Sequence, residues 1–261
     1  MKERQSIFWM RRDLRAHDNA ALHAALSSSE QVICVFVYDR TILDALPRMD
    51  RRVAFIHASV AEAGANLARL GAKLVALEGD PTSVIPDLAR RLDAGRVFAN
   101  DDYEPSARRR DAAIGEALAR EGRALLLSKD QVLLHKDEVR SKAGTPYTRF
   151  TPYYNAWLQR LGQDPQALSD YDPAPLKARF GAPLEGRSNI PLAELGFDEV
   201  DLEGLSLYPG TSGGRRVLDE FIAKADDYLA LRNTLAQGLA HAVPIGKAEP
   251  GAVPGFAVAA V

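Results

Sequence analysis

Short apolar runs at 6–10, 31–38, 73–77, 96–99 and 124–127 alternate along this chain with longer amphipathic stretches. This alternation constrains the fold more than any other feature. The runs are rich in Val, Ile, Leu and Phe and almost unbroken in apolar character. A strand with one wet face would alternate polar and apolar residues, whereas an unbroken run fits a strand covered on both faces. Between the runs, Val53, Ile56, Val60, Gly64 and Leu67 share one helical face. Val84, Ile85, Leu88 and Leu92 form a second stripe, opened by Pro81 and Thr82, and Ile114, Ala117 and Leu118 form a third. Gly71, Gly95 and Gly122 fall where these helices should stop. Strand–helix alternation of this kind predicts an α/β fold. Its core would be a doubly wound, five-stranded parallel sheet with right-handed crossovers, filling a first domain over 1–134.

The rest of the chain reads differently. Prolines recur at 146, 152, 165, 173, 175, 183, 191 and 209, and helical periodicity is confined to about 153–161. Structureless connections of that length are uncommon inside one compact domain, so 135–210 is expected to be an irregular interdomain linker. An amphipathic helix should follow from about Arg215 to Leu231, with Val217, Leu218, Phe221, Ile222, Ala225, Tyr228 and Leu229 on one face. Residues 211–237 are accordingly expected to be a helical stub and 238–261 a disordered tail.

Composition removes several function classes. Lys and Arg number 33 against 35 Asp and Glu, a net charge of −2 that announces no nucleic-acid binder as a whole. Cys34 is the single cysteine and sits in an apolar run, which excludes an intramolecular disulfide and a cysteine-rich metal site. No apolar run reaches membrane length and no signal-peptide pattern opens the chain, so a soluble cytoplasmic protein is expected. His17 and His23, read as flanking the first helix, and His57 lack partners at metal-ligand spacing, so no metal is expected.

Chemistry gathers where the strands should end. The first run passes through Phe8, Trp9 and Met10 into Arg11, Arg12, Asp13, Leu14 and Arg15, then Asp18 and Asn19. Ligands of open α/β sheets bind outside the carboxyl ends of the strands. The structural alternative is that these charges pair with one another and cap helices. Further elements lie at comparable places: Tyr38 and Asp39; Arg51 and Arg52; Glu78, Gly79, Asp80 and Pro81; Asn100 to Pro105, followed by Arg108, Arg110 and Asp111. Beyond them come Thr145, Pro146, Tyr147, Phe150, Thr151, Pro152 and Trp157. Together these motifs resemble the DNA photolyase/cryptochrome family over most of 5–160. The likeness is to the N-terminal part of a class I cyclobutane-pyrimidine-dimer photolyase.

That resemblance implies light-driven repair of pyrimidine dimers in damaged DNA. FAD would sit in a helical second domain and an antenna chromophore in the first. Folate-type relatives use an Asn-Glu pair where this chain has Ser106 and Ala107, so a deazaflavin or flavin antenna is expected instead. Its site would be Arg11, Asp13, Val35, Phe36, Asp39, Arg52, Asp102 and Glu104, unless the pocket is vestigial and its acids cap helices. Tyr228 would be a remnant of the FAD site and Arg232 a contact to DNA phosphate. The family's phosphate-cradling T-S-x-L-S motif does not follow the last helix, and residues 210–214 (Gly-Thr-Ser-Gly-Gly) read as a turn and N-cap before it. The expectation is a truncated or frameshifted reading frame that does not repair DNA alone. It would be a monomer, able to self-associate through the helical stub. Two other readings remain. One is a non-enzymatic cryptochrome-like chromophore module. The other is a generic nucleotide-binding α/β protein, weakened because no glycine-rich phosphate loop follows any strand.

Overall fold

In a computed structural model, the described residues are 2–135, 137–164, 168–182, 184–204 and 207–223. They form five strands, seven α-helices and a 3₁₀ helix: β1 (Glu3–Met10), α1 (Ala20–Ser28), β2 (Ser29–Asp39), α2 (Arg40–Leu43), α3 (Arg51–Arg69), β3 (Leu74–Gly79), α4 (Pro81–Arg91), β4 (Arg96–Asn100), α5 (Pro105–Ala119), β5 (Ala124–Ser128), α6 (Phe150–Gly162), the 3₁₀ helix Ala174–Arg179, and α7 (Gly210–Ile222). All strand pairs are parallel, in the order β3-β2-β1-β4-β5. The chain leaves β1 in one direction to build β2 and β3, then returns past β1 to add β4 and β5. The switch point lies between β1 and β4.

The five predicted strands are all present, and β1 and β2 begin earlier than their apolar runs. Glu3, Arg4 and Gln5 are partly exposed, so nothing apolar marks them, yet the parallel ladder continues through Glu3 opposite Ser29. The core is built from the runs themselves. Ile7, Trp9, Val35, Val75, Val97 and Ala99 from the sheet pack with Ile85, Leu88, Ile114 and Leu118 from α4 and α5. β5 stands at the edge, and its Leu126 and Leu127 are exposed.

Three helices end in the same way, with a backbone N–H reaching five residues back: Ala72 to Leu67, Ala94 to Ala89 and Arg123 to Leu118. Gly71 and Gly122 occupy the left-handed position this closure needs. At the middle helix Asp93 takes that conformation, not Gly95. Gly95 instead leaves room for Glu3, whose carboxylate a β-carbon there would strike.

Two compact units emerge. One joins residues up to Ala45 with Asn66–Ser188; the other joins Leu46–Ala65 with the described residues from Asn189 on. Within the first, residues 174–182 and 184–188 lie against the open edge of β2 and β3. Gly181 donates its N–H to the Val32 carbonyl and Ala76 donates to the Arg187 carbonyl. A short part of the segment read as linker thus covers an edge that would otherwise expose backbone groups. In the second unit His57 Nε2 lies 2.9 Å from the Ile190 carbonyl oxygen, and Asn189 donates back to the His57 carbonyl. Arg48 pairs with Asp198.

α7 starts at Gly210, so the segment read as a turn and N-cap is its first helical turn. Glycine-rich sequence disfavours that turn, and α3 supplies the compensation. Ser59 Oγ accepts from the Gly210 N–H at 3.0 Å, and Glu62 Oε1 accepts from the Ser212 N–H at 2.8 Å. A carboxylate at a helix N-terminus also opposes its dipole favourably.

Candidate functional site

At the carboxyl end of β1 the chain turns through Arg11, Arg12 and Asp13 beside the end of β4, the switch point of the sheet. Arg11 is 8% exposed. Its Nη1 donates to both carboxylate oxygens of Asp111 at 2.7 Å, and its Nη2 donates to the Asn100 carbonyl. Asp111 lies on α5 and is buried, so this is a desolvated ion pair joining β1, β4 and α5. Arg110 donates to Asp111 at 3.2 Å and lies 3.9 Å from Asp39. The Arg11 and Arg110 guanidinium carbons lie 4.9 and 5.0 Å from the centre of the buried Trp9 ring, within cation–π range.

Asp13 faces inward as well. Its Oδ1 accepts from the Arg11 N–H at 2.8 Å, and its Oδ2 accepts from the Asn19 side-chain amide at 2.9 Å and from that of Asn100. Burial pushes the Asp13 carboxyl above its usual value, with these hydrogen bonds pulling the other way. Asp102 pairs with Arg12 at 3.3 Å and accepts from the Glu104 N–H at 3.1 Å.

The other expected antenna residues divide. Val35 is wholly buried in the core, where it packs with Trp9 and Val97, and offers no face to a ligand. Phe36 is nearly buried, its ring edge-on to Tyr38 at 4.9 Å between centroids. Asp39 caps α2, accepting from the Thr41 N–H at 3.0 Å. Arg52 belongs to the second unit and is held by Asp50 at 2.6 Å. Glu104 is exposed at the start of α5 and makes no side-chain cap. Tyr228 and Arg232 lie outside the described residues.

Arg11, Arg12, Asp13, Asn100, Asp101, Asp102 and Gln131 line a half-open depression of about 10 Å³. Within it Arg11 and Asp13 are hydrogen-bonded to their neighbours, and Arg12 reaches Asp102. Of the expected acids, Asp13, Asp39 and Asp102 pair or cap within the protein, and Glu104 does not.

Sequence reasoning named Asn100, Arg110 and Asp111 only within the resemblance and passed over Asn19 as a cap. It missed Asp130 altogether, although this acid follows the apolar run of β5 much as Arg11 follows that of β1. Among the described residues no cluster of His, Cys, Asp or Glu could hold a metal ion, and no helix is long and apolar enough to cross a membrane.

Comparison with known proteins agrees with the topology. A deoxyribodipyrimidine photo-lyase of Synechococcus sp. is 35% identical over 249 residues, 92% of this chain and 51% of that protein. An uncharacterized 31.6 kDa protein of another Synechococcus strain is 34% identical, over 82% of this chain and 74% of its own length. The crystal structure of a bacterial class III photolyase from Agrobacterium tumefaciens superposes with a TM-score of 0.70 at 25% identity, covering 91% of this chain and 49% of that one. This chain therefore spans about half the length of the photolyases it matches. The DNA photolyase family model matches residues 6–174, and the chain belongs to that family.

Proposed function

We propose that this chain supplies the α/β part of a light-driven photolyase that splits cyclobutane pyrimidine dimers in DNA. One observation carries the reading: the similarity to a deoxyribodipyrimidine photo-lyase runs through nearly the whole chain. In this family reduced FAD supplies the chemistry, lending one electron to the dimer after absorbing light.

The described residues do not touch the dimer in this reading. Their part is to hold the sheet rigid, with Arg11, Asp111 and Asn100 locking the ends of β1 and β4 to α5. Placement of the reacting groups depends on such a scaffold, because a loose geometry costs orders of magnitude in rate. Tyr228 is proposed to line the flavin and Arg232 to contact a DNA phosphate, since Arg offers a forked donor set for phosphate oxygens.

A chimera tests the proposal. The matching half of the Synechococcus photo-lyase is replaced by this chain, and the purified product is irradiated with a thymine-dimer oligonucleotide. The expected result is light-dependent dimer loss that disappears in the dark. A chimera that folds, retains flavin and leaves the dimer intact refutes the repair reading and favours a cryptochrome-like module. Light-dependent repair by this chain alone, loaded with FAD, would show that its own residues complete the flavin site.

A further inference from the structure

The first helix after β1, at the switch point of a doubly wound sheet, is where such folds commonly present an anion site. Its N-terminal N–H groups point outward and its dipole favours negative charge. In this chain those groups are already taken. The Ala20 N–H donates to Asp130 Oδ1 at 3.0 Å, the Ala21 N–H to Asn100 Oδ1 at 2.9 Å and the Leu22 N–H to Asn19 Oδ1 at 3.0 Å. Asp130 is the charged member. It arrives from the turn after β5, its side chain is 3% exposed, and its other oxygen accepts from Arg15 Nη2 at 2.7 Å. Arg15 is fixed in turn by the Asp18 carbonyl, to which its Nε donates at 2.9 Å. A helix N-terminus and a guanidinium thus converge on one buried carboxylate, the arrangement by which a protein holds a phosphate or carboxylate ligand.

We infer that Asp130 is an internal anion that fills this site, so the N-terminus of α1 is closed to phosphate-bearing ligands. This closure does not depend on repair activity or on bound flavin.

Removing the carboxylate should open the site. In Asp130→Gly, Arg15 and the Ala20 N–H lose their partner and become receptors for an added anion. Melting of the full chain is followed in chloride and in inorganic phosphate at matched ionic strength. Wild type should be indifferent to the exchange. Asp130→Gly should melt several degrees lower in chloride and recover most of that loss in phosphate. Phosphate stabilising wild type as much as the variant would overturn the inference, as would a variant that melts like wild type in both salts. Should Asp130→Gly not fold, Asp130→Asn keeps an acceptor for Ala20 while losing the charge. It should melt lower than wild type and ignore phosphate, and an unchanged melting temperature would again refute the role of the charge. Amide chemical shifts of Ala20, Ala21 and Leu22 in wild type give an independent readout with FMN as probe. They should stay fixed, even if FMN binds elsewhere, and saturable movement of all three would show that this N-terminus is open.

Discussion

Helices α1 and α6 make opposite use of comparable sequence material. α1 is nine residues long and poorly amphipathic, yet Ala20, Ala21, Leu22, Ala25 and Leu26 are buried and the Ala20, Ala21 and Leu22 N–H groups each have a side-chain acceptor. α6 carries Phe150, Tyr153, Tyr154, Trp157 and Leu158, and none of its residues is buried. Phe150 is 76% exposed, stacked only on Tyr154 among described aromatic contacts. Apolar content alone therefore does not say which helix is anchored. Anchoring comes from what converges on the helix ends and faces, because a short helix owes most of its stability to tertiary partners.

The contrast can be broken most sharply at the strand ends. Arg11→Ala leaves the buried Asp111 with Arg110 as its remaining cation and should lower unfolding stability by up to about 3 kcal/mol, read from urea midpoints. A loss below about 1 kcal/mol would mean that the pair contributes little and that the lock is misassigned. Cys34, opposite Phe8 in the ladder, reports whether the sheet opens. Burial pushes its thiol up to about 12. Deprotonation is thus disfavoured while the sheet is closed, and the thiolate needed for reaction appears only as pH approaches that value. At pH 8 disulfide-exchange reagents should label the native chain roughly a thousand-fold more slowly than the urea-unfolded chain. Equal rates would show that β2 is not held as described.

Smaller effects sharpen the same comparison. Asn19→Ala removes the cap of α1 and should cost about 1 kcal/mol in the same urea assay. Phe150→Ser on α6 should change the stability of this chain by no more than about 0.5 kcal/mol, because exposed positions without special contacts behave so. A larger loss from Phe150→Ser than from Asn19→Ala would invert the contrast and show that α6 is anchored.

The sheet was legible because its signal is local. Unbroken apolar runs and the glycines at 71 and 122 report burial and chain reversal residue by residue. The start of α7 was misread for the complementary reason. Gly210, Gly213 and Gly214 discourage a helix locally, and the acceptors that permit one come from Ser59 and Glu62, about 150 positions earlier. The strand-end site was half legible. Arg11, Asp13, Asp39 and Asp102 were recognisable as a polar group at strand ends, but whether such a group binds a ligand or binds itself cannot be read from spacing.

By itself the sequence determined the α/β class, the five strands, and through its motifs the kinship with photolyases. These depend on hydrophobic periodicity and on residue types, which belong to the chain before it folds. Only the tertiary structure decided what the charged residues do. Arg11 meets Asp111 across 100 positions and Ala20 meets Asp130 across 110. Whether a carboxylate faces a ligand, a guanidinium or a helix end depends on which strand ends the parallel crossovers bring together, and that pairing has no local signature.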